Sequence, residues 1–420
     1  MSHLFALAVR SAWNRRLTLG LTVIAIALSV ALLLGVERLR ADARESFSQS
    51  VSGTDLVIGA RTSPIQLMLY SVFRIGDATN NVRWQSYQAI AARPEIAWTI
   101  PLSLGDSHLG YPVLGTDGAY FRHFRHGRAQ PLEFAGGAPF REIFETVLGA
   151  DVAERLGYRL GDKIVLNHGM GDVSVAGHSD KPFTVVGILK RTGTPVDRTV
   201  HVSLAAIEAI HLEWQGGAPI PGVSIPPQHV TKFDLTPKNI TAILVGLRSR
   251  PDVFRVQRYV NEFRDEPLLA VLPGVALDEL WRIVGVVERT LFAISAMVVT
   301  VGLAGLVAVV LAGLNERRRE LAILRSVGAR PRDIFVLLSI EGLFVTLCGI
   351  LGGIAILAAA TAALSPWART HYGLVIEPRL VSLGELQWVL AVLATGLLAA
   401  LIPAWRACRL SLADGLTPRL

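Results

Sequence analysis

Four stretches of this chain are as long and as apolar as a bilayer is thick, and everything else must be arranged around them. Residues 17–36 run for 20 residues without a charge, residues 291–314 and 386–402 are uncharged, and residues 334–364 carry only Glu341. A helix rises about 1.5 Å per residue, so about 20 apolar residues cross a hydrocarbon layer of about 30 Å. The chain is 420 residues long, with a mean hydropathy of +0.44 and 18% charged residues, too apolar for an ordinary soluble protein and too charged to lie wholly in lipid. The expected fold class is an α-helical membrane protein with four transmembrane helices and a large α+β periplasmic domain on helical stalks. The first stretch is read as a retained span: it outruns a signal-peptide core, and Glu37, Arg38 and Arg40 follow it instead of a small-residue cleavage site.

Arginine placement sets the orientation. Arg10, Arg15 and Arg16 precede the first span, six arginines lie between the second and third (317, 318, 319, 325, 330 and 332), and Arg406, Arg409 and Arg419 follow the fourth. These three segments share one side of a four-span topology, which is therefore the cytoplasm. Their twelve arginines face four acids (Glu316, Glu320, Asp333 and Asp414), a balance of about +8, so the other segments total about −1 of the formal charge of +7. The pI of about 9.7 then reflects topology and gives no support to nucleic-acid binding. The two cysteines, Cys348 and Cys408, fall in or beside spans, so no disulfide is expected in the outer region.

In chain order, residues 1–16 are expected as a cytoplasmic interfacial helix, with Leu4, Phe5, Leu7, Ala8, Ala12 and Trp13 apolar. Residues 17–49 form the first span and a stalk, and 50–276 the periplasmic domain. Residues 277–314 form a second stalk and span, 315–333 a cytoplasmic helix, 334–364 the third span, 365–385 a short periplasmic link, 386–403 the fourth span and 404–420 a cytoplasmic tail. Trp367, Tyr372 and Trp388 are expected as interface anchors. Within the periplasmic domain, strand-like runs are predicted at 55–58, 111–115, 163–166, 183–189, 200–202 and 242–247, and helical runs at 84–92, 140–149, 204–211 and 253–265. The Gly/Pro-rich stretch QGGAPIPGVSIPPQH (215–229) is expected as a loop separating a core subdomain (about 50–210) from a second one (230–276).

Motifs of catalysis are missing. The sequence has no GxxxxGK[ST], GxSxG or HExxH, so the chain itself is expected to be a non-catalytic subunit with no bound cofactor. His123 and His126 are spaced for one helical face, and Asp172, His178 and Asp180 share a loop, but a metal site needs three or four converging ligands. The other histidines of the outer region (108, 168, 201, 211 and 229) are scattered in sequence, and no metal site is expected. Glu341 is the one acid inside a span; it marks either a functional site or, the reading preferred here, a carboxylate that snorkels or pairs with a hairpin arginine. Gly349, Gly352 and Gly353 give the third span a small-residue face for helix packing or dimerisation, and Gly302, Gly305 and Gly313 do the same in the second.

The segment NERRRELAILRSVGARPRDIF (315–335) is more than a basic connector needs to be. Glu320, Leu321, Ile323, Leu324 and Val327 make an amphipathic turn, Gly328 stops it and Pro331 marks the break before the next span. It reads as a docking element for a cytoplasmic partner. RRRELAILRSVGARPRDI also resembles the coupling-helix signature R-x-x-E-[IL]-x-[IV]-L-R-x-x-G-A of the MacB/FtsX/LolC-type ABC permeases. The ending LIPAWRACRLSLADGL resembles that family's C-terminal pattern. VLGTD (113–117), LGYRLGDKIVL (156–166) and FTVVGILKRTGTPVDRTVHVSL (183–204) are similar to its periplasmic core domain.

The resemblance implies mechanotransmission: ATP hydrolysis in the cytoplasm moves the periplasmic domain without passing substrate through the membrane. It implies that Glu316, Arg319, Glu320, Leu321, Leu324 and Arg325 contact an ABC ATPase, with Gly328 permitting the turn back. In contrast to MacB, a fused ATPase domain is not expected, so ATP and Mg2+ are expected on a separate subunit. Other implied partners are a second permease copy or sister permease, membrane lipid, and a periplasmic adaptor or cargo such as lipoprotein, lipid or an exported molecule, at the bacterial inner membrane. A second reading is a transmembrane signalling protein that activates a periplasmic partner such as a cell-wall hydrolase. A third is a metal-linked membrane protein.

Overall fold

The computed structural model describes residues 16–169, 176–177, 180–215, 218–220, 225–316, 318–372 and 381–409. The interfacial helix expected at the N-terminus, Asp172, His178 and the end of the cytoplasmic tail lie outside these residues. The described residues form two compact units: a helical unit from those within 1–42, 285–371 and 375–420, and an α/β unit mainly from those within 43–284.

Among the described residues, four helices are long and apolar enough to cross a membrane: Arg16–Gln49, Pro273–Glu316, Pro331–Tyr372 and Leu383–Cys408. The first is 34 residues long, about 51 Å at 1.5 Å per residue, and the second is 44, about 66 Å. Both exceed the bilayer core, and both run without a break into the stalks read from sequence. The fourth helix differs from expectation at its end, because it continues through Pro403 to Cys408. Leu19, Ile26, Val30, Leu306, Val345, Ile350 and Val392 form the common core of the four helices. Trp388, expected at the membrane interface, packs on Phe292 with ring centroids 4.7 Å apart.

The α/β unit is built on one mixed sheet. Its main strands are β1 (Leu56–Ala60), β2 (Ile96–His108), β3 (Tyr111–Thr116), β4 (Phe134–Gly137), β5 (Glu145–Leu148), β6 (Phe183–Leu189), β7 (Val200–Ser203), β8 (Ala242–Leu247) and β9 (Leu268–Val271). The spatial order is β9-β1-β8-β2-β3-β7-β5-β6-β4, with β3–β7 and β5–β6 parallel and the other pairs antiparallel. In β1 every residue is buried, so the strand reads as a continuous apolar run, whereas β6 alternates buried and half-buried residues because one face is only partly covered. Two expectations are corrected. Residues 140–149 have helical apolar spacing, yet 145–148 form β5, drawn between β7 and β6 where Val147 and Leu148 are buried. The loop at 215–229 does not open a second subdomain: β8 and β9, which follow it, return to flank β1 on its two sides, and β8 also pairs with β2.

Candidate functional site

The hairpin segment folds as the helix Arg318–Ser326 between the second and third long helices. Its apolar side is divided. Leu321 and Leu324 join Leu314, Ile334, Leu338, Ala404 and Ala407 in one cluster, with Leu321 only 8% exposed. Seating a leucine this way contributes about 1.5–3 kcal/mol. Ile323 and Val327 point the other way, 52% and 83% exposed. The positions expected to meet a partner are thus sorted: Leu321 is turned into the chain's own core, Leu324 is half-buried beside it, and the outward apolar pair is Ile323 and Val327. Glu316 ends the second long helix, and Arg319 and Glu320 lie in the first turns of the hairpin helix. Gly328 has φ +104, a left-handed conformation that glycine adopts without strain, and the Ala329 N–H donates to the Leu324 carbonyl at 3.0 Å to close the helix. The third long helix then starts with the Arg330 N–H donating to the Asp333 carboxylate at 2.8 Å.

The glycine face of the third helix lies against the first helix of the same chain. A Cβ on Gly349 would stand 2.5 Å from the Ile26 side chain, and one on Gly353 would stand 2.7 Å from both the Ala27 carbonyl and Val30. Gly352 faces the Ala27 methyl at 3.2 Å. Gly342 and Gly396, which sequence reading passed over, bring the third and fourth helices together against Ala400 and Thr346. Gly302 approaches Ser29 of the first helix, whereas Gly305 has nothing within 4 Å. Glu341 is 4% exposed, so its carboxylate is enclosed by protein and does not snorkel outward.

Sequence reading also missed an ion pair. Arg38 donates from Nε and Nη2 to the two oxygens of Glu385 at 2.9 and 3.0 Å, and both side chains are buried. Glu385 simultaneously completes a capping box: its side chain accepts from the Ser382 N–H, and the Ser382 hydroxyl accepts from the Glu385 N–H. One carboxylate therefore caps the fourth helix and binds the first.

Of the histidines in the α/β unit, most have ordinary structural settings. His123 stacks on Trp98, His126 sits in a two-residue strand, His108 bonds the Val165 carbonyl and the Tyr158 hydroxyl, and His201 is buried beside Tyr120 and Phe121. The exception is a pair that sequence separation hid. His168 and His211 meet over Asp106, and their three ligand-type atoms converge. The hydrogen bond to Asp106 holds the His168 imidazole above its usual pKa. The group was invisible in sequence because its members come from a strand, a short edge strand and a helix end, 43 and more residues apart.

With this geometry in view, comparison with known proteins gives a consistent result. A family model described as the MacB-like periplasmic core domain matches residues 19–262, and one described as the FtsX-like permease C-terminal matches residues 292–412. The lipoprotein-releasing system transmembrane protein LolC of Neisseria meningitidis serogroup B (strain ATCC BAA-335 / MC58) is 25% identical over 217 residues, 50% of this chain and 46% of that protein. The macrolide export ATP-binding/permease protein MacB of Brucella abortus (strain 2308) is 34% identical over 117 residues, 28% of this chain and 17% of that protein. The chain thus spans less than half the length of these curated relatives. Among solved structures, the periplasmic region of MacB from Actinobacillus actinomycetemcomitans aligns with TM-score 0.34 and 9% identity, covering 55% of this chain and 94% of that one.

Proposed function

The chain belongs to the MacB/LolC/FtsX-type ABC transporter permease family, and from that premise we propose that it receives motion from a cytoplasmic ATPase and delivers it to its α/β unit. It is a multi-pass inner-membrane protein with that unit in the periplasm. The observation that carries the proposal is the two-sided hairpin helix. One side, Leu321 and Leu324, is seated on the ends of the long helices, and the other, Ile323 and Val327, is left exposed as an apolar pair. A force applied to the outward side is passed to the second and third helices through a packed core. The second helix continues unbroken into the α/β unit at Pro273.

In this reading ATP and Mg2+ reside on the partner, and this chain supplies no catalytic group. A second permease, identical or a sister, completes the assembly, because an ATPase dimer offers two docking grooves. The cargo lies on the periplasmic side or in the outer leaflet: a lipoprotein, a lipid, or a molecule handed to a periplasmic adaptor. LolC and MacB are named for lipoprotein release and macrolide export, and they set the two cargo classes to be tried first.

The test is a pull-down from native membranes with wild type and an Ile323→Glu variant, scored for a bound ATPase. A charge at Leu324 would disturb the chain's own packing, so Ile323, which contributes little to it, is the informative position. Wild type is expected to retain an ATPase and Ile323→Glu to lose at least about 30-fold of it, a hot-spot loss of about 2 kcal/mol, with an unchanged melting temperature. Equal retention by both proteins contradicts docking through this face.

A further inference from the structure

We propose that Asp106, His168 and His211 form a binding site in the α/β unit for a divalent first-row transition-metal ion, with Zn2+ the best match, and with one coordination position open to solvent.

The site is built by three elements. A shift in the β2–β3 register between Leu104 and Ser107 places Asp106 in a bulge, where Gly105 takes φ +147. His168 pairs directly with Asp106 across the adjoining edge strand Asn167–His168. His211 is the last residue of the helix Leu204–His211. His168 Nδ1 lies 3.1 Å from Asp106 Oδ1 and 3.1 Å from His211 Nε2, and His211 Nε2 lies 3.6 Å from Asp106 Oδ1. Ligands held about 2.0–2.1 Å from a tetrahedral ion stand about 3.3 Å apart, and the three observed separations bracket that value.

The orientation of the rings also suits a ligand set. His211 Nδ1 is 2.8 Å from the Ile207 carbonyl, which only accepts, so Nδ1 carries the proton and Nε2 turns a lone pair inward. Trp214 packs against both imidazoles, with centroids 4.8 and 5.5 Å away, and limits their rotation. Asp106 is 3% exposed, so its charge needs a strong counterpart, and a cation shared with two imidazoles supplies one. Two nitrogens and one carboxylate oxygen favour Zn2+ and its neighbours over Mg2+ or Ca2+, which prefer all-oxygen sets. Both histidines are partly exposed, which leaves room for a water or an exogenous ligand in the fourth position.

The experiment uses the full chain in detergent, freed of metal and titrated with Zn2+ against a chromogenic chelator. One tightly held Zn2+ per chain is expected in wild type. His168→Ala and His211→Ala should each weaken it by more than the ~10–100-fold that loss of an outer partner of a metal site costs, and His123→Ala and His126→Ala should leave it unchanged. Excess Mg2+ should not displace the ion. If an alanine variant fails to fold, His211→Gln replaces it, and the Co2+-loaded wild type gives an independent reading through the intense visible absorption of a tetrahedral ion. Absence of a tight Zn2+ in wild type, a purely octahedral Co2+ spectrum, or Zn2+ affinity indifferent to His168 and His211 overturns the proposal.

Discussion

At the scale of single residues, the buried Arg38–Glu385 pair ties the first long helix to the fourth. Both groups are buried, and each needs the other: removing one partner of such a pair costs about 3–5 kcal/mol because the remaining charge is stranded. Glu385→Gln keeps the size of the side chain and a capping acceptor but removes the negative charge that faces Arg38. The expected result is a melting temperature several degrees below wild type in detergent, with the double variant Arg38→Met/Glu385→Leu recovering much of the loss. An unchanged melt in Glu385→Gln would show that the pair contributes little. Neither residue stood out in sequence, because Arg38 reads as an ordinary charge after a span and Glu385 as an ordinary start to a helix. Their meeting depends on the first and fourth helices lying side by side, which no local pattern encodes. Asp106, His168 and His211 were hidden for the same reason.

At the scale of elements, what was legible is what has a period or a length. The four spans, both stalks, β6 and the helix Leu204–His211 follow from apolar runs and their spacing. β2 was not read, because Pro101 and Gly105 interrupt it as a turn would, although the proline is accommodated opposite Ile243 and the glycine marks the bulge. β5 was misread because its neighbours in the sheet, and not its own spacing, decide its state. The hairpin helix shows a finer limit: its amphipathic period was plain, but which half of the apolar side faces inward depends on the cluster around Ala404 and Ala407. The glycine face allows a clean comparison. Gly353→Val places atoms into the Ala27 carbonyl and Val30 of the first helix and is expected to cost about 1–3 kcal/mol by overpacking. Gly305→Ala meets nothing and, by helix propensity alone, is expected to be neutral or to gain up to about 1 kcal/mol. Equal melting temperatures for Gly353→Val and wild type would remove the close packing from the account.

At the scale of the whole molecule, the central claim is mechanical. One helix runs from Pro273 to Glu316, and the proposed function requires it to carry displacement, which it does only while its hydrogen bonds are intact. Val286→Pro would break it near the boundary of the two units by removing one bond and clashing with the preceding turn. The most direct measurement is the distance between spin labels at Phe254 and Leu383, both exposed, in protein whose two cysteines, Cys348 and Cys408, are replaced. It is made in nanodiscs with the proposed ATPase partner bound, with and without ATP. The expected result is a distance that shifts on adding ATP in the intact protein and no longer shifts in Val286→Pro, although ATP is still hydrolysed. A distance that ignores ATP while hydrolysis proceeds in the intact protein, or one that shifts equally with the helix broken, would contradict the account.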